Sequence, residues 1–445
     1  MTALLERFTN VRKEEVAPTL AAGLYFFFIL TALMVLRPVR ETLGVQGGIE
    51  TVRWLFVGTA VVTLLVNPVF GWLVSRYRRL FFISATYLFF AASLLVFYGL
   101  LTMAPESVGE TSGMVFYVWF TVFNLFVTMV FWALMADRFS LEQSKRLFAP
   151  IAVGGTLGAI FGPWLASRLA QPIGTHNLLL VGVAFLLLGV GAAWLVTSLQ
   201  PRRAEAQASA DPEEPPAVDD RTVIGGSAWE GFRAVFRSRY LLGISAFVLT
   251  MTIVATFIYF TRLQLVASMS NEMDTQTTLF ARIDFYTQVA TLLLQGILTG
   301  HIMKRLGVPF ALALLPVTAA LGFIGLALAA SFAMFVIFDA TFRAIQRAIT
   351  RPARETLFTV VSREDKYKSK AFIDTFVYRG GDVIGAQTEG VLMGLGLGVA
   401  ALTATVVPLA IAWLALGVWL GRAQRSRAGT RPEPPRGAEA QPVLT

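Results

Sequence analysis

Several long apolar stretches of this chain carry charges at helical spacing. Asp339, Arg343, Arg347, Arg351 and Arg354 lie four, four, four and three residues apart, which puts them on one stripe of a helix. Counted from Ser331 at about 1.5 Å per residue, Arg343 is roughly 18 Å into its stretch. Arg379 is about 15 Å in from Ser369 and has Asp374, Asp382 and Glu389 around it. Arg37, Arg40 and Glu41 close the first stretch, and Arg53 opens the second. Asn124 is the main polar residue in the middle of the fourth, and Asp284 with Gln288 gives the eighth a polar stripe. An ionised side chain near a bilayer centre costs about 2.5 to 3.5 kcal/mol on insertion scales, so each needs a partner, a wet cavity or a function.

Two chemistries fit this set. In one, Asp339 with Arg343, and Asp374 or Asp382 with Arg379, are ion pairs that tie the tenth and eleventh stretches together. In the other, the arginines are an anion path, because a guanidinium is a planar, permanently charged fork suited to phosphate or carboxylate. The two are compatible, since an anion can compete for a paired arginine. Were protons to drive the process, Asp284, Asp374 and Asp382 would be the coupling residues, and a proton-coupled exporter of other small solutes is the alternative reading. The chain has no cysteine and two histidines, His176 and His301, which leaves little for a metal site and no cysteine nucleophile. No nucleophile, base and orienting group recur at interpretable spacing, so neither an enzyme nor a cofactor is expected.

Twelve apolar stretches position these residues, the first at 19–37 and the last at 398–420. Of the 445 residues 56% are hydrophobic and 15% charged, with a mean hydropathy of +0.65. Most stretches reach the roughly 20 residues a helix needs to cross about 30 Å of hydrocarbon. The expected fold class is an all-α membrane protein of two six-helix bundles, 19–199 and 240–420. A segment at 1–18 precedes them, a linker at 200–239 joins them, and a tail at 421–445 is expected to be disordered. The first stretch has no small-residue cleavage site and reads as a retained span.

The formal charge of +9 does not call for nucleic acid, because no soluble basic domain is present to bind it. Cations collect between stretches 2 and 3, 4 and 5, 8 and 9, and 10 and 11, and in the tail, which places both termini in the cytoplasm of a cell whose inner membrane holds the protein. The linker segment PRRAEAQASADPEEPPAVDDR (201–221) is too poor in apolar residues to fold. After it, Trp229, Phe232, Val235 and Phe236 share a helical face with Arg233, Arg237 and Arg239 nearby. This is either a helix resting on the membrane surface or the start of the seventh span. SLEQSKRLF (140–148) before Gly154 and Gly155 is echoed by SREDKYKSKAF (362–372) before Gly380 and Gly381, as a parallel internal repeat requires. A monomer in the bilayer with a small anionic substrate is the expected assembly; a non-transporting sensor or scaffold is a third reading.

Three segments carry a family resemblance. VLRPVRETLGV (35–45), the run from Phe116 to Phe148, and RPARETLFTVVSREDKYKSKAFIDTFVYRGGD (351–382) resemble the nucleotide transporter family, the ATP:ADP antiporters related to the major facilitator fold. GWLVSRYRR (71–79) and GHIMKRLG (300–307) likewise look like altered copies of the major facilitator loop motif. The resemblance implies alternating access and an anionic, phosphorylated substrate. It matches the family's basic residues to Arg53 and Arg379, and like residues to Arg37, Arg40, Asp284, Arg347 and Arg354. Where the family has acids in spans 4 and 7, this chain has Thr121 to Asn124 and Ala255 to Thr256. The expected substrate contacts are Arg37, Arg40, Arg53, Asn124, Arg343, Arg347 and Arg379.

Overall fold

The computed structural model describes residues 12–76, 79–103, 106–199, 228–297, 307–329, 331–396 and 398–429. They are helical almost throughout. The first six helices are α1 (Lys13–Gln46), α2 (Ile49–Arg76), α3 (Arg79–Met103), α4 (Glu106–Arg138), α5 (Leu141–Ile173) and α6 (Leu178–Leu199). A ten-residue α7 (Ala228–Arg237) precedes α8 (Arg239–Met269), α9 (Met273–Ile297) and α10 (Gly307–Leu328). The tenth apolar stretch is α11 (Phe332–Ile345), a π-helical turn Gln346–Thr350, and α12 (Arg351–Leu357). The eleventh is α13 (Arg363–Phe372), a second π-turn Ile373–Val377, and α14 (Tyr378–Gly394), and α15 (Gly398–Gly429) is the last.

Nine of the described helices are long and apolar enough to cross a membrane by composition alone. The stretches outside that number are those of α9, α11 with α12, and α13 with α14. These are the ones that carry Asp284, the arginine stripe and Arg379. Their charges are compatible with a buried position only because other helices and a cavity surround them.

Two apolar cores result. One is built on α1 and α3 to α6, with Phe26 stacked on Phe131 at 4.0 Å between ring centroids. The other is built on α8 to α15 and takes in Val45, Val52 and Tyr117 from the first half. The repeated serines have a local cause. Ser140 accepts a hydrogen bond from the Gln143 amide at 3.1 Å and Ser362 one from the Asp365 amide at 3.1 Å, so each starts its helix as an N-cap. Glycine sets the contact between the first and fifth helix of each half. A Cβ on Gly154 of α5 would overlap the Gly23 carbonyl of α1, and one on Gly381 of α14 would overlap the Thr252 side chain of α8. Only a residue without a side chain permits that approach.

Three boundaries differ from the sequence reading. Helix α1 begins at Lys13 and runs nine residues past Arg37 to Gln46, so Arg37, Arg40 and Glu41 lie within a helix and not at its close. The tail expected to be disordered from 421 is helical to Gly429, where the Arg427 guanidinium sits 4.3 Å from the centroid of the Tyr240 ring. α7 is a separate helix, because Ser238 is extended (φ −113°, ψ 115°) and caps α8. The rest of the linker, the last 16 residues and the loop motif at 300–306 lie outside the described residues. Below, the end of the molecule at the turn Gly47–Gly48 is called distal, and the end where α1 begins proximal.

Candidate anion site between two sealed and open ends

At the distal end polar side chains join the two halves. Arg53 of α2 meets Glu389 of α14, Nη2 to Oε2 at 2.9 Å, and Glu389 also accepts from Gln264 Nε2 of α8 at 2.6 Å. Arg53 has Glu50 as a second partner. Tyr259 of α8 donates to Glu41 of α1, which Arg40 pairs at 2.5 Å, and Tyr259 also shares a 2.7 Å hydrogen bond with Tyr117 of α4. Thr42 meets Thr277 at 2.8 Å, and the Thr175 amide donates to Asp274 at 2.7 Å. Apart from the exposed Glu50, each group is buried or half-buried, so these bonds are little weakened by competing water.

Deeper lies a cluster of alternating charge. Asp284 of α9, 2% exposed, receives Arg262 Nη1 at 2.9 Å and has Arg37 Nε at 3.6 Å. Arg262 is fully buried and also donates to the Phe280 carbonyl at 3.2 Å. On α11, Arg343 donates to Asp339, one turn back, at 2.6 Å. Arg347 differs from the others. Its Nη1 donates to the Gln288 amide oxygen at 2.6 Å, a neutral acceptor, while the positive charges of Arg37 and Arg343 act on it from nearby, offset in part by the more distant carboxylates of Asp284 and Asp339. Among the described residues no carboxylate lies within ion-pair distance of it.

Below Arg343 a cavity of about 550 Å³ opens toward the proximal end, a volume typical of small-molecule sites. Its walls hold Arg343, Arg347, Arg351, Arg354 and Arg379 against a single carboxylate, Asp374. Arg354 pairs with Asp374 at 3.3 Å, and Arg379 with Asp382 at 3.1 Å. Both π-turns border this space: Gln346, Arg347 and Thr350 come from one, Asp374 from the other, and Tyr378 and Arg379 directly follow the second. A π-turn packs an extra residue into one turn and occurs often at functional sites.

The sequence-derived set therefore divides. Arg343, Arg347 and Arg379 share the cavity, and Arg37 adjoins its closed end through Asp284. Arg40 and Arg53 belong to the distal seal, about 9 Å and about 6 Å from the distal ends of their helices at about 1.5 Å per residue. Asn124 is exposed on α4 and is not among the cavity-lining residues. The ion pairs Asp339–Arg343 and Arg379–Asp382 fall within single helices, so neither expected pair ties the tenth stretch to the eleventh; Arg354–Asp374 at 3.3 Å and Glu355–Lys370 at 2.6 Å do so instead. Sequence reasoning missed Arg262. It sits inside the seventh apolar stretch, and a charge within such a run is the signal that marks it. The π-turns have no sequence signature of their own.

The sequence matches the Major Facilitator Superfamily over residues 16–349. Solved structures agree across nearly the whole chain. An inward-facing, unoccupied bacterial homologue of the human lysosomal transporter Spinster is 13% identical, with a TM-score of 0.57, covering 95% of this chain and 99% of its own. The nucleoside transporter NupG is 12% identical with a TM-score of 0.57, covering 92% and 99%. A bacterial homologue of the iron transporter ferroportin, inward-facing, is 14% identical with a TM-score of 0.63, covering 93% and 100%. At such identities the likeness is one of fold. No curated protein sequence matches the chain.

Proposed function

The chain belongs to the Major Facilitator Superfamily and is a multi-pass membrane transporter, not an enzyme, and on that premise we propose that its cargo is an anionic, phosphorylated metabolite of the nucleotide class. The observation that carries this reading is Arg347. A half-buried guanidinium near two others, hydrogen-bonded only to a neutral amide and reached by Asp284 and Asp339 only at longer range, is poorly compensated until an anion completes its coordination. The cavity supplies the remaining requirements: room, a surplus of four cations over carboxylates among its lining, and the Tyr378 ring as an apolar and hydrogen-bonding wall.

In this proposal the proximal end faces the cytoplasm, in line with the loop cations, and the distal seal closes the outside. The state is then inward-open. The cargo enters from the proximal end, meets Arg351 and Arg354 first, and settles between Arg347 and Arg379. Its charge relieves the repulsion of Arg347 and draws α11 and α14 together, closing the inner side, while the Arg53–Glu389 seal must part for release. The two bundles, 19–199 and 240–420, are the proposed rocking bodies. The neighbour NupG is a nucleoside transporter, and the sequence segments at 35–45 and 351–382 resemble nucleotide exchangers; both favour a nucleotide over a simple organic acid.

Thermal stabilisation of the purified protein by a panel of nucleotides, sugar phosphates, carboxylates, neutral nucleosides and organic cations tests the class. Phosphorylated compounds are expected to raise the melting temperature, and the matching nucleosides are not. Stabilisation confined to cations or neutral compounds would contradict the proposal.

A further inference from the structure

A second cationic cleft lies at the proximal end, away from the transport cavity. It is formed where α7 rests on α13 beside the end of α15, and it encloses about 890 Å³. α7 is held there by close contact. Gly231 packs so tightly that a Cβ would lie 2.6 Å from the Lys368 carbonyl, and Val235 is buried. The cleft is lined by Arg233, Arg237 and Arg239 with Lys368 and Arg427 opposite. Its two carboxylates are already engaged: Glu364 takes Lys368 at 2.7 Å, and Asp365 accepts from Ser362 at 2.9 Å. Arg233, Arg237 and Arg239 are exposed and have no carboxylate within ion-pair distance among the described residues.

Next to these cations is an apolar ledge. Phe236 is 60% exposed, Phe376 40% and Phe232 36%. Phe232 and Phe236 meet tilted at 4.4 Å, Phe232 meets Phe372 edge-on at 5.7 Å, and Phe372 stacks on Phe376 at 5.6 Å. The level in the membrane follows from α8, whose apolar run starts at Tyr240 directly after Arg239. α7 therefore lies where hydrocarbon gives way to headgroups, with phenylalanines for the first and arginines for the second. A soluble anion would use the arginines and leave the ledge bare.

We propose that this cleft binds an anionic phospholipid, the headgroup phosphate between Arg233, Arg237 and Arg239 and the acyl chains along Phe232, Phe236 and Phe376. The lipid clamps α7 against α13, and through it the inner end of the eleventh stretch, where the second π-turn begins. The site shares no residue with the transport cavity, so it stands or falls independently of the cargo.

The test uses the full-length protein in detergent, titrated with short-chain phosphatidylglycerol, with phosphatidylcholine of the same chains, and with chain-free glycerol phosphate, each followed by melting temperature. Phosphatidylglycerol is expected to act at a concentration at least about tenfold lower than phosphatidylcholine. Replacing Arg233→Ala with Arg237→Ala removes about two headgroup contacts and raises that concentration at least about tenfold, while the pair Arg233→Lys with Arg237→Lys restores most of it. The lysine pair guards against a folding defect, since it keeps charge at the same exposed positions. Equal action of the two lipids, or an unchanged response in the alanine pair, would overturn the proposal. So would a glycerol phosphate response as strong as that of phosphatidylglycerol and lost in the alanine pair, which makes the cleft a soluble-anion site. A glycerol phosphate response that survives the alanine pair, beside the expected lipid response, belongs to the transport cavity and leaves the lipid site supported.

Discussion

Arg53 of α2 and Glu389 of α14 are 336 residues apart in sequence and meet at 2.9 to 3.0 Å across the two halves of the molecule. Gly390 makes the meeting possible, because a Cβ there would lie 2.8 Å from the Arg53 side chain. Breaking this pair is expected to favour opening of the distal end. Removing one partner of a buried pair leaves the other uncompensated, at a cost of about 3 to 5 kcal/mol. Since the chain has no cysteine, a pair introduced at Gln46 and Gln276, whose side chains are 3.1 Å apart, reports the seal directly. Crosslinking should fall several-fold with Glu389→Gln, and an unchanged yield would show that the pair does not hold the end closed.

Arg262 and Asp284 have a structural consequence of their own. Arg262→Ala leaves Asp284 with Arg37 alone at 3.6 Å, and a loss of about 3 to 5 kcal/mol is expected, read as a large fall in melting temperature. Asn at 284 with Arg262 retained should be comparably damaging. A double Arg262→Met, Asp284→Leu variant should recover much of the stability, because paired removal takes out the desolvation penalty along with the attraction.

Helix contact through glycine gives a contrast within one protein. Gly154→Val forces α1 away from α5 and should prevent assembly of a monodisperse protein, whereas Gly191→Ala, with nothing within 4 Å of the new Cβ, should be neutral or slightly stabilising. Size-exclusion profiles of the two variants check this directly.

His176 sits in the distal turn between α5 and α6, outside the spans. Burial holds its imidazole below the ordinary value of 6.5, with Asp274 pulling the other way. The folded protein therefore prefers the neutral ring, while the unfolded chain takes up a proton near pH 6.5. Stability should be steady above that pH and fall as the solution is acidified through it. His176→Asn should flatten the melting temperature between pH 7.5 and 5.5; an equally steep profile would assign the acid sensitivity to other groups.

Much of the fold was legible because twelve apolar runs of membrane-crossing length leave few other architectures, and because Ser140 and Ser362 start corresponding helices. The stripe from Arg343 to Arg354 was legible from spacing alone. Partner choice was not, since it depends on how far each helix turns about its own axis. Arg53 and Arg379 look alike in sequence, each a cation with a carboxylate three residues away, yet one seals the distal end and the other lines the cavity. The π-turns alter register by a single residue, below anything an apolar pattern records. Arg262 escaped notice because it lies two residues before the close of its stretch, where a charge is ordinarily within reach of water.

The central claim is that Arg347 receives a phosphorylated anion, and counterflow of labelled nucleotides into proteoliposomes measures it most directly. Loss of one charged hydrogen bond is worth about 1.5 to 3 kcal/mol, so Arg347→Gln should raise the half-saturating concentration by roughly ten- to a hundredfold. Gln288→Leu, which removes the neutral partner and spares the cation, should leave counterflow largely intact. Nucleotide counterflow in the wild type that is lost in Arg347→Gln and kept in Gln288→Leu is the expected result. Counterflow that is indifferent to Arg347→Gln would contradict the account.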